Sequence, residues 1–280
     1  MWDYGEGNRG PELAAISIAM ASVSVVAVAL RSYTMATILK RFLIEDWLAV
    51  LTCALQVGFC IVVVVGVSFG LGAHVDDVPE VNRHKALIFK WAGQVAYILV
   101  STLVKFAIGI FLLRLCVNNN WQRITIIVLL VIVGLFNIFY VFMAIFQCQP
   151  AEFYWWRYTT NPPVTGKCNG HALATIPTYF AFFVGIFSDL TLALLPATLI
   201  KGAHLDRRTK ISVCCVLALG SLASVATIAR IPYAKQLLSN PDYLYNFTDL
   251  AIWSIVECGI AITASSLATL RPLFVKLNFL

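Results

Sequence analysis

Charge is scarce in this sequence. Only 12% of its 280 residues are Asp, Glu, Lys or Arg, where a soluble domain carries about 25%. With 60% hydrophobic residues and a mean hydropathy of +0.84, the chain cannot clothe a water-facing surface, which excludes a soluble protein. Short segments of alternating polarity are missing too. The apolar runs are long and continuous, so an outer-membrane barrel is excluded and a helical integral membrane protein remains. The net charge of +6 sits in short loops between apolar runs, where basic residues set topology rather than bind nucleic acid. Four histidines occur at no recognised ligand spacing. His74 with Asp76, Asp77 and His84 or His171 is therefore not read as a metal site, and no metal or cofactor is expected. Met1–Gly10 is polar and mixed in charge, unlike a cleavable signal, which predicts that the first span serves as its own insertion signal.

What is present is a set of seven apolar segments: Leu13–Leu30, Trp47–Phe69, Ile88–Leu113, Ile124–Phe146, Leu173–Ile200, Ile211–Ala234 and Thr248–Pro272. Each is near or above the ~20 residues that a helix needs to cross a bilayer. They predict one all-α domain over residues 1–280, a bundle of seven transmembrane helices. The first segment is the weakest and can continue through Ser32–Leu39. Counted as loop charges, Arg31, Lys40, Arg41, Arg114, Arg123, Lys201, Arg207, Arg208, Lys210, Arg271 and Lys276 make eleven in one set, and Arg9, Arg83, Lys85, Lys90, Arg157, Lys167 and Lys235 make seven in the other. Placing the richer set in the cytoplasm puts the amino terminus outside and the carboxyl terminus inside. Trp47, Trp91 and Trp121 fall near span ends, as interfacial aromatics do. Asn246-Phe247-Thr248 is a glycosylation sequon, but it abuts the last span too closely for use.

Four ionisable residues lie well inside spans: Lys105, Asp189, Arg230 and Glu257. Such residues face a bundle interior or a polar cavity. At 1.5 Å per residue, Lys105 and Asp189 lie about 25 Å and about 24 Å below the outer ends of their spans, so they are level. Arg230 and Glu257 lie about 6 Å and about 13 Å deep, a difference a long arginine side chain bridges. Two ion pairs are expected, Lys105–Asp189 and Arg230–Glu257, serving either as structural latches or as a functional polar network. Glu45 and Asp46 read as complements to the amino-terminal dipole of the second span. Pro196 and Pro232 should kink spans five and six.

Of eight cysteines, Cys53, Cys60, Cys214, Cys215 and Cys258 lie within spans and Cys116 at a cytoplasmic end. Cys148 and Cys168 share the outer loop between spans four and five. A disulfide there would constrain a loop of about 20 residues by about 3 kcal/mol. Two free thiols are the alternative.

The ordered set of short pieces from Arg31 to Leu273 resembles the fungal rhodopsin-domain family of seven-helix integral membrane proteins. Its pieces are Glu45-Asp46-Trp47, then Gly70-Leu71-Gly72-Ala73-His74, then Tyr97 with Lys105, Phe111 and Arg114. Cys148-Gln149-Pro150 with Cys168 follows, then Asp189 with Leu195-Pro196. Lys210, Leu219-Gly220 and Arg230 come next. The last are Trp253-Ser254-Ile255-Val256-Glu257 and Leu270-Arg271-Pro272. The resemblance adds Tyr97 and Trp253 to the intramembrane network. Retinal is not expected, because no lysine occurs from Thr248 to Pro272 to form a Schiff base. An acidic residue before Arg114 and an Asn-Pro-x-x-Tyr run, both animal-receptor signatures, are missing as well.

The preferred reading is a receptor-like sensor with no catalytic residues assigned. It would sit in the plasma membrane among its lipids, bind a small or lipophilic ligand from outside, and meet a signalling partner on the cytoplasmic face. An intramembrane enzyme or accessory protein acting on a lipophilic substrate in secondary metabolism is the first alternative, with Asp189 and Glu257 as candidate acids. A transporter is the second. It fits less well because no internal repeat is detectable.

Overall fold

The computed structural model describes residues 4–5, 7–115, 120–159, 162–202, 225–233 and 242–269. The chain runs through α1 (Gly10–Tyr33), a π-helical turn (Thr34–Ile38), α2 (Ile44–Ser68), a short 3-10 turn (Val75–Asp77), α3 (Glu80–Leu115) and α4 (Asn120–Ile145). A loop holding the short helix α5 (Phe153–Trp156) leads to α6 (His171–Gly202), which continues through Pro196. Residues 225–233 form a helical segment, α7, and α8 is Phe247–Thr269. Among the described residues, six helices are long and apolar enough to cross a membrane. Most of the expected sixth span, Ile211–Ala234, lies outside the described residues. So do Arg207, Arg208, Lys210, Leu219-Gly220, Lys235 and Leu270-Arg271-Pro272, together with Lys276, Cys116, Cys214 and Cys215.

The first span runs Gly10–Ile38, continuing through a π turn beyond Tyr33 as the sequence allowed. The third starts at Glu80 rather than Ile88. Its 36 residues make a rod of about 54 Å, well beyond the ~30 Å of a hydrocarbon core. Polar residues head this extension, so hydropathy alone cuts the span short. Helical bonding nevertheless begins at once: the amides of Asn82 and Arg83 donate to the Pro79 carbonyl at 2.8 and 3.1 Å. Aromatic contacts with α5 support it, His84 stacking on Trp156 at 4.6 Å and Trp91 meeting Trp155 edge-on at 5.9 Å.

α3 is the hub, touching α2, α4, α5, α6 and α8, while α1 packs on α2 and α8. Between helices in lipid, apolar burial supplies little drive, and close steric fit decides association. Gly109 of α3 shows this: a Cβ there would stand 2.8 Å from the Leu130 side chain of α4. α4 turns Ile126, Leu129, Leu130 and Val133 inward, while Ile127, Val131, Leu135, Phe139 and Phe142 are exposed on its other side. That outward face suits hydrocarbon.

At one end of the bundle the chain before α1 is clamped to the turn after α2. Gly70 and Gly72 adopt φ of 103° and 98°, a conformation that costs other residues about 1–3 kcal/mol. The amide of Arg9 donates to the Gly72 carbonyl at 3.0 Å, and a Cβ on Gly72 would fall 2.8 Å from the backbone nitrogen of Gly10. Gly72→Ala should therefore destabilise the protein by about 2–3 kcal/mol, measured as thermal unfolding of the purified protein by circular dichroism. Gly58→Ala is the control. Nothing lies within 4 Å of a Cβ at that helical position, so its effect should be neutral to slightly stabilising.

The other end is held by ion pairs that local sequence rules misassign. Arg31, counted above as a loop charge, is in α1 and 3% exposed. Its Nε lies 2.9 Å from Asp46 Oδ1, and its Nη1 donates to the Ser265 carbonyl of α8 at 3.2 Å. The second Asp46 oxygen accepts the Leu43 amide at 2.9 Å, closing the first turn of α2. Glu45 Oε1 lies 2.8 Å from Arg114 Nη1 at the end of α3. Glu45 and Asp46 are thus buried partners of distant arginines as well as complements to a helix dipole.

Candidate functional site

A cavity of about 460 Å³ opens between α3, α4, α6, α7 and α8, within the range that holds small organic ligands. Its walls follow from helical spacing. On α3 the lining residues include Lys90, Gln94, Tyr97, Ser101 and Lys105, one face of a 3.6-residue period. On α8 they are Phe247, Leu250, Ala251, Ser254 and Glu257. Trp253 falls beyond the Glu257 edge of that stripe. It is half-buried and does not line the cavity.

One end of the cavity lies under the loop between α4 and α6. There Cys148 and Cys168 form a disulfide within a two-stranded antiparallel pairing, Gln149 facing Lys167. Tyr154, Arg157 and Tyr158 from this loop complete the wall. Tyr243, before α8, stacks on Tyr158 at 4.3 Å. Burial raises the Tyr154 phenol and pushes that of Tyr243 up to about 12, so both are neutral donors at physiological pH. Cys53, Cys60 and Cys258 are free and buried.

The deeper end holds the charges. Arg230 Nη1 lies 2.6 Å from Glu257 Oε2 and also donates to the Tyr97 hydroxyl. That hydroxyl is 3.3 Å from both Glu257 oxygens. The Arg230 guanidinium lies 4.3 Å from the centre of the Tyr97 ring and 5.3 Å from that of Phe182. Such cation–π contacts partly replace lost hydration. Lys105 Nζ bonds Asp189 Oδ1, with side-chain exposures of 8% and 11%. Of the network expected from sequence, Tyr97, Lys105, Arg230 and Glu257 line the cavity, and Asp189 stands behind Lys105. Two cations face two carboxylates, so this floor is electrically neutral overall.

Lys90 and Arg157 are cavity residues that the sequence reading counted only as topology charges. A signal was available for Lys90, which lies seven residues before Tyr97 and so on the same helical face. Among the described residues no three metal-ligating side chains converge. His74 instead pairs with Asp242 at 2.5 Å and stacks on Tyr245 at 4.2 Å.

Residues 30–276 match the fungal rhodopsin domain. The chain is 24% identical over 273 residues to the polyenoic acids biosynthesis gene cluster protein Ba17b of Metarhizium anisopliae, an alignment covering 91% of this chain and 71% of that protein. It is also 24% identical over 221 residues to a SAT4 family membrane protein of Emericella nidulans, covering 77% of this chain and 53% of that protein. The chain thus spans about half the length of the second relative. No solved structure matches. Helices apolar enough to cross a membrane and a domain match over most of the chain agree: this multi-pass membrane protein belongs to the fungal rhodopsin domain family.

Proposed function

We propose that this protein is a receptor-like sensor without retinal, a bundle of seven membrane helices with the disulfide end outside and the carboxyl terminus in the cytoplasm. In this reading it sits in the plasma membrane. The observation that carries the reading is the cavity, which runs from the disulfide loop to the Arg230–Tyr97–Glu257 cluster. A ligand entering beneath the loop would reach charge pairs that tie α3 to α6 and α7 to α8, and would bias the bundle between two packings. A signalling partner on the cytoplasmic face would read the change.

A second reading is an intramembrane enzyme or accessory protein acting on a lipophilic substrate. Its support is the relative whose name places it in a gene cluster for polyenoic acids biosynthesis. Against catalysis by Glu257 or Asp189, each carboxylate is engaged by a cation.

Entry route separates the two. Ser254 lines the cavity and is 5% exposed. In intact spheroplasts, a membrane-impermeant sulfonated maleimide should modify Ser254→Cys and leave the wild-type protein unmodified. Labelling from outside also checks the orientation. Reaction only with a membrane-permeant maleimide would point to entry from lipid and overturn the receptor reading.

A further inference from the structure

The two ends of the cavity differ in charge balance. At the floor each cation has a carboxylate. At the disulfide end Lys90 and Arg157 both line the cavity, and among the described residues neither makes an ion pair. Lys90 is 6% exposed, with its ammonium 5.3 Å from the centre of the Tyr243 ring and 5.6 Å from that of Phe247. Arg157 lies 4.7 Å from the centre of the Tyr154 ring and 4.5 Å from that of Tyr158, and its Nε is buried with no hydrogen-bond partner among the described residues. Asp242 is paired with His74 and Asp249 with Arg9, and Glu152, in the same loop as Arg157, is exposed and forms no ion pair with either cation. The adjoining segments 160–161 and 234–241 contain no acidic residue. Aromatic faces lower the cost of burying a cation but do not neutralise it. Among the described residues, then, no carboxylate answers the two basic groups on this cavity wall.

We infer that this end of the cavity binds the anionic headgroup of an amphipathic molecule, Lys90 and Arg157 gripping the anion while its apolar chain runs down between Phe59, Ile98, Val133 and Phe182. The inference rests on the cavity being a ligand site and adds the ligand's chemistry. The arginine offers the free Nε–H and its Nη groups as a fork suited to a carboxylate or phosphate, and the lysine supplies a point charge beside it. The tyrosine hydroxyls of Tyr154, Tyr158 and Tyr243 supply further neutral donors. A quaternary ammonium ligand is disfavoured, because the aromatic faces that would hold it already carry the protein's own cations.

The probe is cis-parinaric acid, a long-chain polyene carboxylic acid whose fluorescence rises in apolar surroundings, titrated against the purified protein in nanodiscs of phosphatidylcholine. Its methyl ester is the neutral counterpart. The acid should bind saturably and at least tenfold more tightly than the ester, a difference set by the charge-assisted bonds. K90M and R157Q should each weaken the acid about tenfold and leave the ester unchanged, and K90R should retain acid binding. Acid and ester binding alike, no binding of the acid, or full acid affinity in both K90M and R157Q would overturn the proposal. None of these touches the Ser254→Cys result, which tests the entry route separately. Discs containing phosphatidylglycerol separate the two sources of such an anion: displacement of the acid supports the site with a bilayer lipid as occupant, and no displacement supports it with a free acid.

Discussion

Replacing Asp46 with alanine is expected to cost the bundle about 3–5 kcal/mol, because it strands the Arg31 guanidinium, whose side chain is 4% exposed, without its carboxylate. About 1 kcal/mol more goes with the lost acceptor for the Leu43 amide. The damage should spread beyond α1 and α2, since Arg31 also reaches the Ser265 carbonyl of α8. The measurement is the fraction of monodisperse protein left after a heating series, followed by size-exclusion chromatography. Arg31→Met combined with Asp46→Leu should recover most of the loss, because an apolar pair of similar volume avoids the buried charge. If the double variant is as unstable as Asp46→Ala, the pair is not what holds this end.

Glu257→Ala is expected to do comparable harm at the centre, about 3–5 kcal/mol. Arg230 and Glu257 have side-chain exposures of 6% and 7%, and among the described residues Arg230 would keep only the Tyr97 hydroxyl and two ring faces as partners. Buried pairs are poorly screened, so the loss should be similar at low and high salt. Arg9→Ala provides the contrast. Its pair with Asp249 is about a quarter exposed on both sides, and the small effect of losing it should shrink as salt rises. A Glu257→Ala defect that salt abolishes would mean the pair is open to water, and the cavity floor would need another account.

The membrane class of the chain was legible because length and continuous hydropathy are local properties. The Cys148–Cys168 disulfide was also open to sequence reasoning, because both thiols share one loop between spans. What escaped was the distant partners of residues near the helix ends. Asp46 meets an arginine 15 residues away and Glu45 one 69 residues away, and the dipole rule that explains acidic helix starts says nothing of either. Arg31 looked like a loop charge because it follows directly on the apolar run, although α1 continues to Tyr33. Trp253 was grouped with Glu257 by the motif it shares, but Glu257 is the edge of the cavity face of α8 and Trp253 lies beyond it. Lys90 was absorbed into a count of basic residues, a use that ignores which side of the helix a lysine faces.

The length of α3 has a mechanical consequence. One unbroken helix carries His84 against the disulfide loop at one end and Arg114 against Glu45 at the other, with Tyr97 and Lys105 between. Such a rod transmits a push at one end without needing any relay of side-chain rearrangements. Pivoting by ~5° about its middle, it would displace each tip by roughly 2 Å in opposite directions, given 1.5 Å of rise per residue. That travel is enough to part a 2.8 Å contact such as Arg114–Glu45. A nudge delivered beneath the disulfide loop would thereby be geared to the far face of the bundle.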